Sequence, residues 1–233
     1  MEGILQNFYE AIPENEPFLG RGTLAWAPSA FLQEQFSQVE FGSANPAMDF
    51  GKGFITLRQR TAEECHNPKS GIFHHNPVHH MQLRANEAYA ALRYKRRLVV
   101  IVSVGTELSG LGDRVMRQLK ARFPDCFLCA PIYTLSSEAE PHRYPASFIE
   151  RVKAYGLPMA FYLPVEGGQR EACVRFDRIQ AIAKDFLRPH KLRFSADCQK
   201  VFDDWLNHYL YGALPAESEI DEYRQLLAQK GVN

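Results

Sequence analysis

Short apolar runs bounded by glycine, proline and other turn residues recur along the chain, and they predict a protein with many β-strands. The strongest run, Leu98–Val104, is almost continuous and rich in β-branched residues, which is typical of a strand buried on both faces. The predicted strands are Thr23–Ala27, Phe54–Leu57, Leu98–Val104, Phe127–Tyr133, Phe161–Leu163 and Cys173–Phe176.

Three segments have the periodicity of amphipathic helices. The first is Asp113–Arg122, which ends before Pro124. In the second, Ser195 is suited to cap a helix that Gly212 ends, and the third covers residues 216–231. Because these helices follow several strands and do not alternate with them, the pattern predicts an α+β fold, with a small curled β-sheet or barrel and helical additions.

Residues 29–85 are the least regular part of the sequence. Turn-forming pairs such as Asn45-Pro46 and Asn76-Pro77 interrupt them repeatedly, and the run Phe54–Leu57 is the strand that we predict there. We therefore interpret residues 1–233 as a single elaborated domain with a loop-rich insertion at about 29–85, a kind of segment that is usually functional or mobile.

The composition is that of an ordinary globular protein. The chain has 233 residues, 45% of them hydrophobic, and 27 basic residues balance 27 acidic ones. No apolar run reaches the roughly 20 residues of a membrane-spanning helix, and the first residues lack the features of a secretion signal. Five irregularly spaced cysteines argue against a disulfide framework, so we expect reduced thiols and a cytoplasmic location.

Charge is unevenly distributed along the chain. Residues 93–122 contain eight basic and two acidic side chains, whereas residues 203–222 contain six acidic side chains and no lysine or arginine. Such an asymmetry is compatible with a surface for a polyanion in the middle of the chain, and equally with two helices whose outer faces are charged.

Two clusters of potential metal or redox ligands carry little weight. Six ligand-type side chains lie within 16 residues but at spacings that match no zinc motif: Cys65, His66, His74, His75, His79 and His80. They remain an alternative zinc site, and we expect no metal and no cofactor. Cys126 and Cys129 have C-x-x-C spacing, but on a predicted strand they are better explained as two apolar thiols.

Three segments together resemble one protein family. They are the basic entry to a buried strand, Arg93–Ser103, the strand Ala130–Ser137 that ends in hydroxyl side chains, and the segment Phe176–Leu187. With Arg21-Gly22 opening the first strand and a closing helix after Ser195, their order resembles that of the PemK/MazF-like toxin endoribonucleases. The resemblance covers about residues 17–28 and 86–212.

The resemblance implies an SH3-like β-barrel, commonly a homodimer, that binds single-stranded RNA and has a small antitoxin protein as partner. It implies a phosphate site made by Arg97, or Arg96 in a register shifted by one residue, together with Thr134 or Ser136. The chain departs from the family pattern in having Leu98 where the family has proline and an inserted tyrosine, Tyr133, before the hydroxyl.

The residue chemistry agrees with this implication. RNA supplies its own nucleophile, the 2′-hydroxyl, so an enzyme needs to align it and stabilise the charge on the phosphorane, and a guanidinium suits that task. His142, or a histidine of residues 74–80, could act as general base. Candidate RNA-binding side chains are Arg93, Lys95, Arg114, Arg117, Tyr133 and Tyr144.

Two other functions stay open on the sequence alone. The same barrel could be a non-catalytic module that binds nucleic acid or a protein, in which case binding would depend on salt but no RNA would be cut. A zinc-binding protein built on Cys65 and the histidines of residues 66–80 is the second alternative.

Overall fold

The computed structural model describes residues 7–13, 19–30, 36–43, 53–61, 90–103, 126–135, 143–166 and 168–229. The chain divides into two compact units, one made of Met1–Ser29 with Arg96–Asn233 and the other of Ala30–Lys95. The described residues have an α+β structure with mostly antiparallel strands, as the sequence pattern predicts. Among the helices of this part of the chain, none is long and apolar enough to cross a membrane.

Strands outnumber helices in the described part of the chain. The strands are β1 (Tyr9–Ala11), β2 (Thr23–Ala30), β3 (Phe36–Ser43), β4 (Gly53–Arg60), β5 (Ala90–Ala91), β6 (Tyr94–Ser103), β7 (Cys126–Thr134), β8 (Ala160–Leu163), β9 (Ala172–Arg175), β10 (Gln180–Ala183) and β11 (Arg188–Phe194). The α-helices are α1 (Ala146–Lys153), α2 (Ala196–Tyr211) and α3 (Glu219–Gln229). Short 3-10 turns at Phe176–Arg178 and Lys184–Phe186 flank β10.

The larger sheet has the order β1-β11-β2-β6-β7-β9-β8, and β10 also pairs with β7. Strand β7 therefore pairs with two strands along the same edge, β10 near its start and β9 near its end. Its first half pairs with β10, from Cys126↔Ala183 to Cys129↔Gln180, and its last residues, Ile132 to Thr134, pair with β9. The 3-10 turn Phe176–Arg178 lies between these two partners in the chain.

The sheet separates two groups of buried side chains. The smaller group contains Val99 and Ile101 of β6 with Phe127 of β7, whereas Val100 and Val102 of β6 belong to the larger group. Because successive side chains of a strand point to opposite faces, this division shows that β6 is buried on both faces and confirms the prediction for this run. The larger group is rich in aromatic rings, with Trp205 and Phe161 fully buried.

Helix α2 forms as the sequence predicts. The Ser195 hydroxyl accepts a hydrogen bond from the Cys198 N–H at 3.2 Å, and the helix ends where Gly212 adopts a φ of 77°. Its apolar face, with Phe202 and Trp205, packs into the larger core group. Helix α3 is also confirmed. The predicted helix Asp113–Arg122 lies outside the described residues.

The unit Ala30–Lys95 contains a three-stranded antiparallel sheet of order β4-β3-β5. Strands β3 and β4 pair in unbroken register from Phe36↔Arg60 to Ser43↔Gly53. The predicted strand Phe54–Leu57 is the central part of β4, and the sequence pattern did not reveal its partner β3. The Arg60 Nε donates to Gln38 Oε1 at 3.0 Å, and both residues are buried.

Candidate functional site

Arg97 is the residue at which β6 enters the protein interior. Tyr94, Lys95 and Arg96 are exposed, whereas Arg97 is only 8% exposed. Its guanidinium carbon lies over the ring of Tyr133, 4.3 Å from the centroid. Strands β6 and β7 pair at Val99↔Pro131, and this register, continued by two residues, sets Arg97 opposite Tyr133. The structure therefore brings together two of the predicted site residues.

A second guanidinium reaches the same ring. The Arg175 guanidinium carbon is 5.9 Å from the Tyr133 ring centroid. Arg175 donates from Nε and Nη2 to the two carboxylate oxygens of Asp177, at 2.7 and 2.6 Å, and this pairing raises the pKa of Arg175. Arg97, Tyr133, Arg175 and Asp177 form what we call the Tyr133 cluster.

Tyr144 adjoins the Tyr133 cluster. Its ring stacks on Phe148 with centroids 5.1 Å apart, and the Arg143 guanidinium lies 5.8 Å from it. Burial raises the pKa of Tyr144, while the positive charges of Arg143 and Arg175 oppose that rise. The phenol therefore keeps its proton at neutral pH and is available as a hydrogen-bond donor.

Thr134 is the last residue of β7, is half-buried, and pairs through its backbone with Ala172 of β9. Since adjacent residues of a regular strand point to opposite faces, Thr134 and Tyr133 project in different directions. The same alternation separates the two candidate arginines: Arg97 contacts Tyr133, whereas Arg96 lies over Trp26, 5.0 Å from its ring centroid. The geometry thus groups Arg97 with Tyr133.

The remaining predicted residues fall into two sets. Arg93 and Lys95 are exposed and belong to the unit Ala30–Lys95. The other set lies outside the described residues: Ser136, His142, Arg114, Arg117, Cys65, His66, His74, His75, His79 and His80. Within the described ranges, no group of three or more histidine, cysteine, aspartate or glutamate side chains could hold a metal ion.

The predicted apolar character of the C-x-x-C thiols holds for Cys129, which is buried and whose pKa burial raises to about 12. Cys126 is only half-buried, and neither forms a disulfide. Cys173, opposite Tyr133 in the β7–β9 register, is also a free buried thiol whose pKa is raised to about 12, mainly by burial.

Sequence reasoning missed Arg175 and Asp177. Arg175 ends β9 and Asp177 lies in the 3-10 turn that follows, so their ion pair depends on where the strand ends, and the sequence pattern did not reveal that point.

No family model matches the chain, and the curated proteins give no match. The function must therefore be inferred from the residues themselves.

Proposed function

We propose that this protein is a metal-independent endoribonuclease that cleaves single-stranded RNA to a 2′,3′-cyclic phosphate and a 5′-hydroxyl. One observation carries the proposal: the guanidinium carbons of Arg97 and Arg175 lie 4.3 and 5.9 Å from the centroid of the Tyr133 ring. Two guanidiniums at one ring provide planar hydrogen-bond donors of the kind that suit an anion such as a phosphodiester.

The reaction requires few protein groups. The RNA 2′-oxygen attacks phosphorus, its proton passes to a base, and the bond from phosphorus to the 5′-oxygen breaks as that oxygen takes up a proton. Arg97 would stabilise the added negative charge of the phosphorane. Thr134 points to the other face of β7, so any contribution from its hydroxyl would be the smaller one. Burial raises the pKa of Tyr144, so the phenol is a weak acid that could hydrogen-bond the phosphate but is poorly suited to protonate the leaving oxygen. That oxygen can take its proton from water, and His142 stays the proposed base.

The strand pairing supports an SH3-like barrel as the scaffold. Strands β10, β7, β6, β2 and β11 are neighbours in that order, and β10 and β11 follow one another in the chain through the 3-10 turn Lys184–Phe186. The side chains of the smaller core group come from this set of strands and the turn before β11. In the proposed barrel the sheet curls so that β10 and β11, which one turn joins directly, approach each other. The homodimer and the antitoxin partner belong to the same proposal.

The test is cleavage of a mixed-sequence single-stranded RNA by the purified full-length protein, with the fragment ends identified. We expect 2′,3′-cyclic phosphate ends, and a rate lower by a factor on the order of 10²–10³ for Arg97→Ala because a phosphorane-stabilising donor is lost. Thr134→Val should lower the rate by less. Arg151→Ala, on the exposed side of α1, is the matched control and should cleave normally.

Two results would contradict the proposal. Wild-type rates in both Arg97→Ala and Thr134→Val would exclude the assigned phosphate site. Fragments with 3′-hydroxyl and 5′-phosphate ends would exclude attack by the 2′-oxygen, whichever residues matter.

One observation favours a second function. Arg97 is 8% exposed, which restricts the approach of a phosphate to its guanidinium. A module of the same fold that binds single-stranded RNA without cutting it needs only exposed cations and aromatic rings. Salt-dependent RNA binding, with intact RNA after prolonged incubation, would identify this function.

A further inference from the structure

Trp26 is a large aromatic side chain at the surface of an inner strand. It lies in β2, which has β11 on one side and β6 on the other. Its neighbours Ala25 and Ala27 point inward and are buried, whereas Trp26 is 36% exposed. Because strands flank it on both sides, the indole stands on a rigid part of the sheet.

Two arginines flank this indole. The Arg96 guanidinium, from β6, lies over the ring at 5.0 Å from its centroid. On the other side, Arg188 of β11 is the register partner of Trp26, so their side chains emerge next to each other on one face. The Arg188 Nη1 donates to the carbonyl oxygens of Asp185 and Leu187 at 3.2 and 3.4 Å, which restrains the position of its charge.

We propose that Trp26, Arg96 and Arg188, the Trp26 patch, form a base-stacking site for single-stranded nucleic acid, distinct from the Tyr133 cluster. A base stacks on the exposed part of the indole, and the flanking phosphates pair with the two guanidiniums. The inference rests on the proposed function, because it supplies the substrate RNA with a second contact away from the scissile phosphate.

The combination of groups, more than any one of them, points to this ligand. A single exposed apolar residue is common on protein surfaces and needs no ligand to explain it. An exposed indole with a cation on each side matches the alternation of base and phosphate in a single strand. Stacking does not depend on base identity, so the patch would bind different sequences with similar strength.

The two tryptophans of the chain make the patch directly measurable. Trp205 is fully buried, and its indole N–H donates to the Ala160 carbonyl at 2.8 Å, so an added oligonucleotide cannot reach it. The probe is a 2′-O-methyl oligouridylate of about 8 nucleotides, which lacks the nucleophile and cannot be cut. We expect saturable quenching of tryptophan emission, weaker at high salt.

Variants separate stacking from charge. Trp26→Ala should weaken binding of the fluorescein-labelled oligouridylate, followed by anisotropy, on the order of 10-fold, and Trp26→Phe should retain most of the affinity. Arg96→Gln and Arg188→Gln should each lower the slope of log K against log salt by about 1. The control Arg151→Gln, on α1, should bind as the wild type does.

The outcomes distinguish this inference from the proposed function. If the wild type cleaves RNA while Trp26→Ala binds the oligouridylate normally and Trp26 emission stays unchanged, the patch is wrong and the nuclease stands. Equal quenching by polyglutamate would overturn the assignment to nucleic acid. If the wild type neither binds nor cleaves, the proposed function fails and takes this inference with it.

Discussion

Arg96 and Arg97 are neighbours with identical side chains in different surroundings. Arg97 is 8% exposed and lies over Tyr133, whereas Arg96 is exposed and lies over Trp26. The alternation of side chains along β6 is sufficient to produce this difference. One strand thus supplies an interior cation, whose loss should affect folding as well as chemistry, and a surface cation, whose loss should affect binding alone.

The two arginines also differ in their charged neighbours. Near Arg97, the Arg175 guanidinium is held by Asp177 through two hydrogen bonds. Near Arg96, the Arg188 guanidinium donates to backbone carbonyl oxygens. Carbonyls carry no formal charge, so these hydrogen bonds do not neutralise the positive charge of Arg188. We therefore expect added salt to weaken the attraction of an anion to Arg96 and Arg188 more than its attraction to Arg97 and Arg175.

The largest expected effect on stability is that of Arg97→Ala. The substitution removes a nearly buried side chain from the ring of Tyr133 and leaves a cavity, so we expect the free energy of unfolding to fall by about 2–3 kcal/mol. Urea denaturation followed by circular dichroism measures this change.

Arg96→Ala is the matched control for that measurement. Because Arg96 is exposed, its removal should change the free energy of unfolding by no more than about 0.5 kcal/mol. Equal losses of unfolding free energy in Arg97→Ala and Arg96→Ala would show that the two arginines do not differ in burial as described.

A smaller effect is expected from Asp177→Asn. The amide cannot accept both hydrogen bonds from Arg175 as the carboxylate does, and the guanidinium stays partly buried beside Tyr133. We expect a loss of about 1–2 kcal/mol in the free energy of unfolding. The exposed Asp185→Asn on the nearby 3-10 turn is the control and should unfold as the wild type does. If Asp185→Asn lost as much unfolding free energy as Asp177→Asn, the ion pair of Arg175 with Asp177 would make no specific contribution to stability.

The elements predictable from the sequence are those with a strong local signal. The β-branched run of β6 and the cap and stop residues of α2 each specify their structure within a few residues. Strands β10 and β11 gave no such signal: β10 has four residues with one buried side chain, and Arg188-Pro189-His190-Lys191 in β11 is polar and contains a proline. Their extended structure depends on pairing with β7 and β2, which are distant in the chain.

The candidate site was predictable in its residue types but not in its geometry. The basic entry to β6 identified both arginines, yet a shift of one residue in register exchanges the two faces, and the sequence left that choice open. The pairing of β6 with β7 sets Arg97 against Tyr133 and, one residue further along, Arg96 against Thr134. Which of the two arginines contacts a phosphate stays a prediction. Trp26 was predicted as part of a strand, and its exposure depends on which side chains of β6 and β11 flank it.

Chemical labelling of two cysteines on β7 compares an interior side chain with a partly exposed one and requires no substitution. Cys129 is buried opposite Ile101, and its pKa is raised to about 12, whereas Cys126 at the start of the strand is half-buried. At pH 8 a thiol of that pKa has a thiolate fraction roughly a thousandfold below that of an ordinary cysteine, so Cys129 should resist iodoacetamide. Mass spectrometry of briefly labelled native protein should find Cys126 modified well before Cys129, and both modified equally in denaturant. Equal labelling in the native state would show that the interior side of β7 is open to solvent at Cys129.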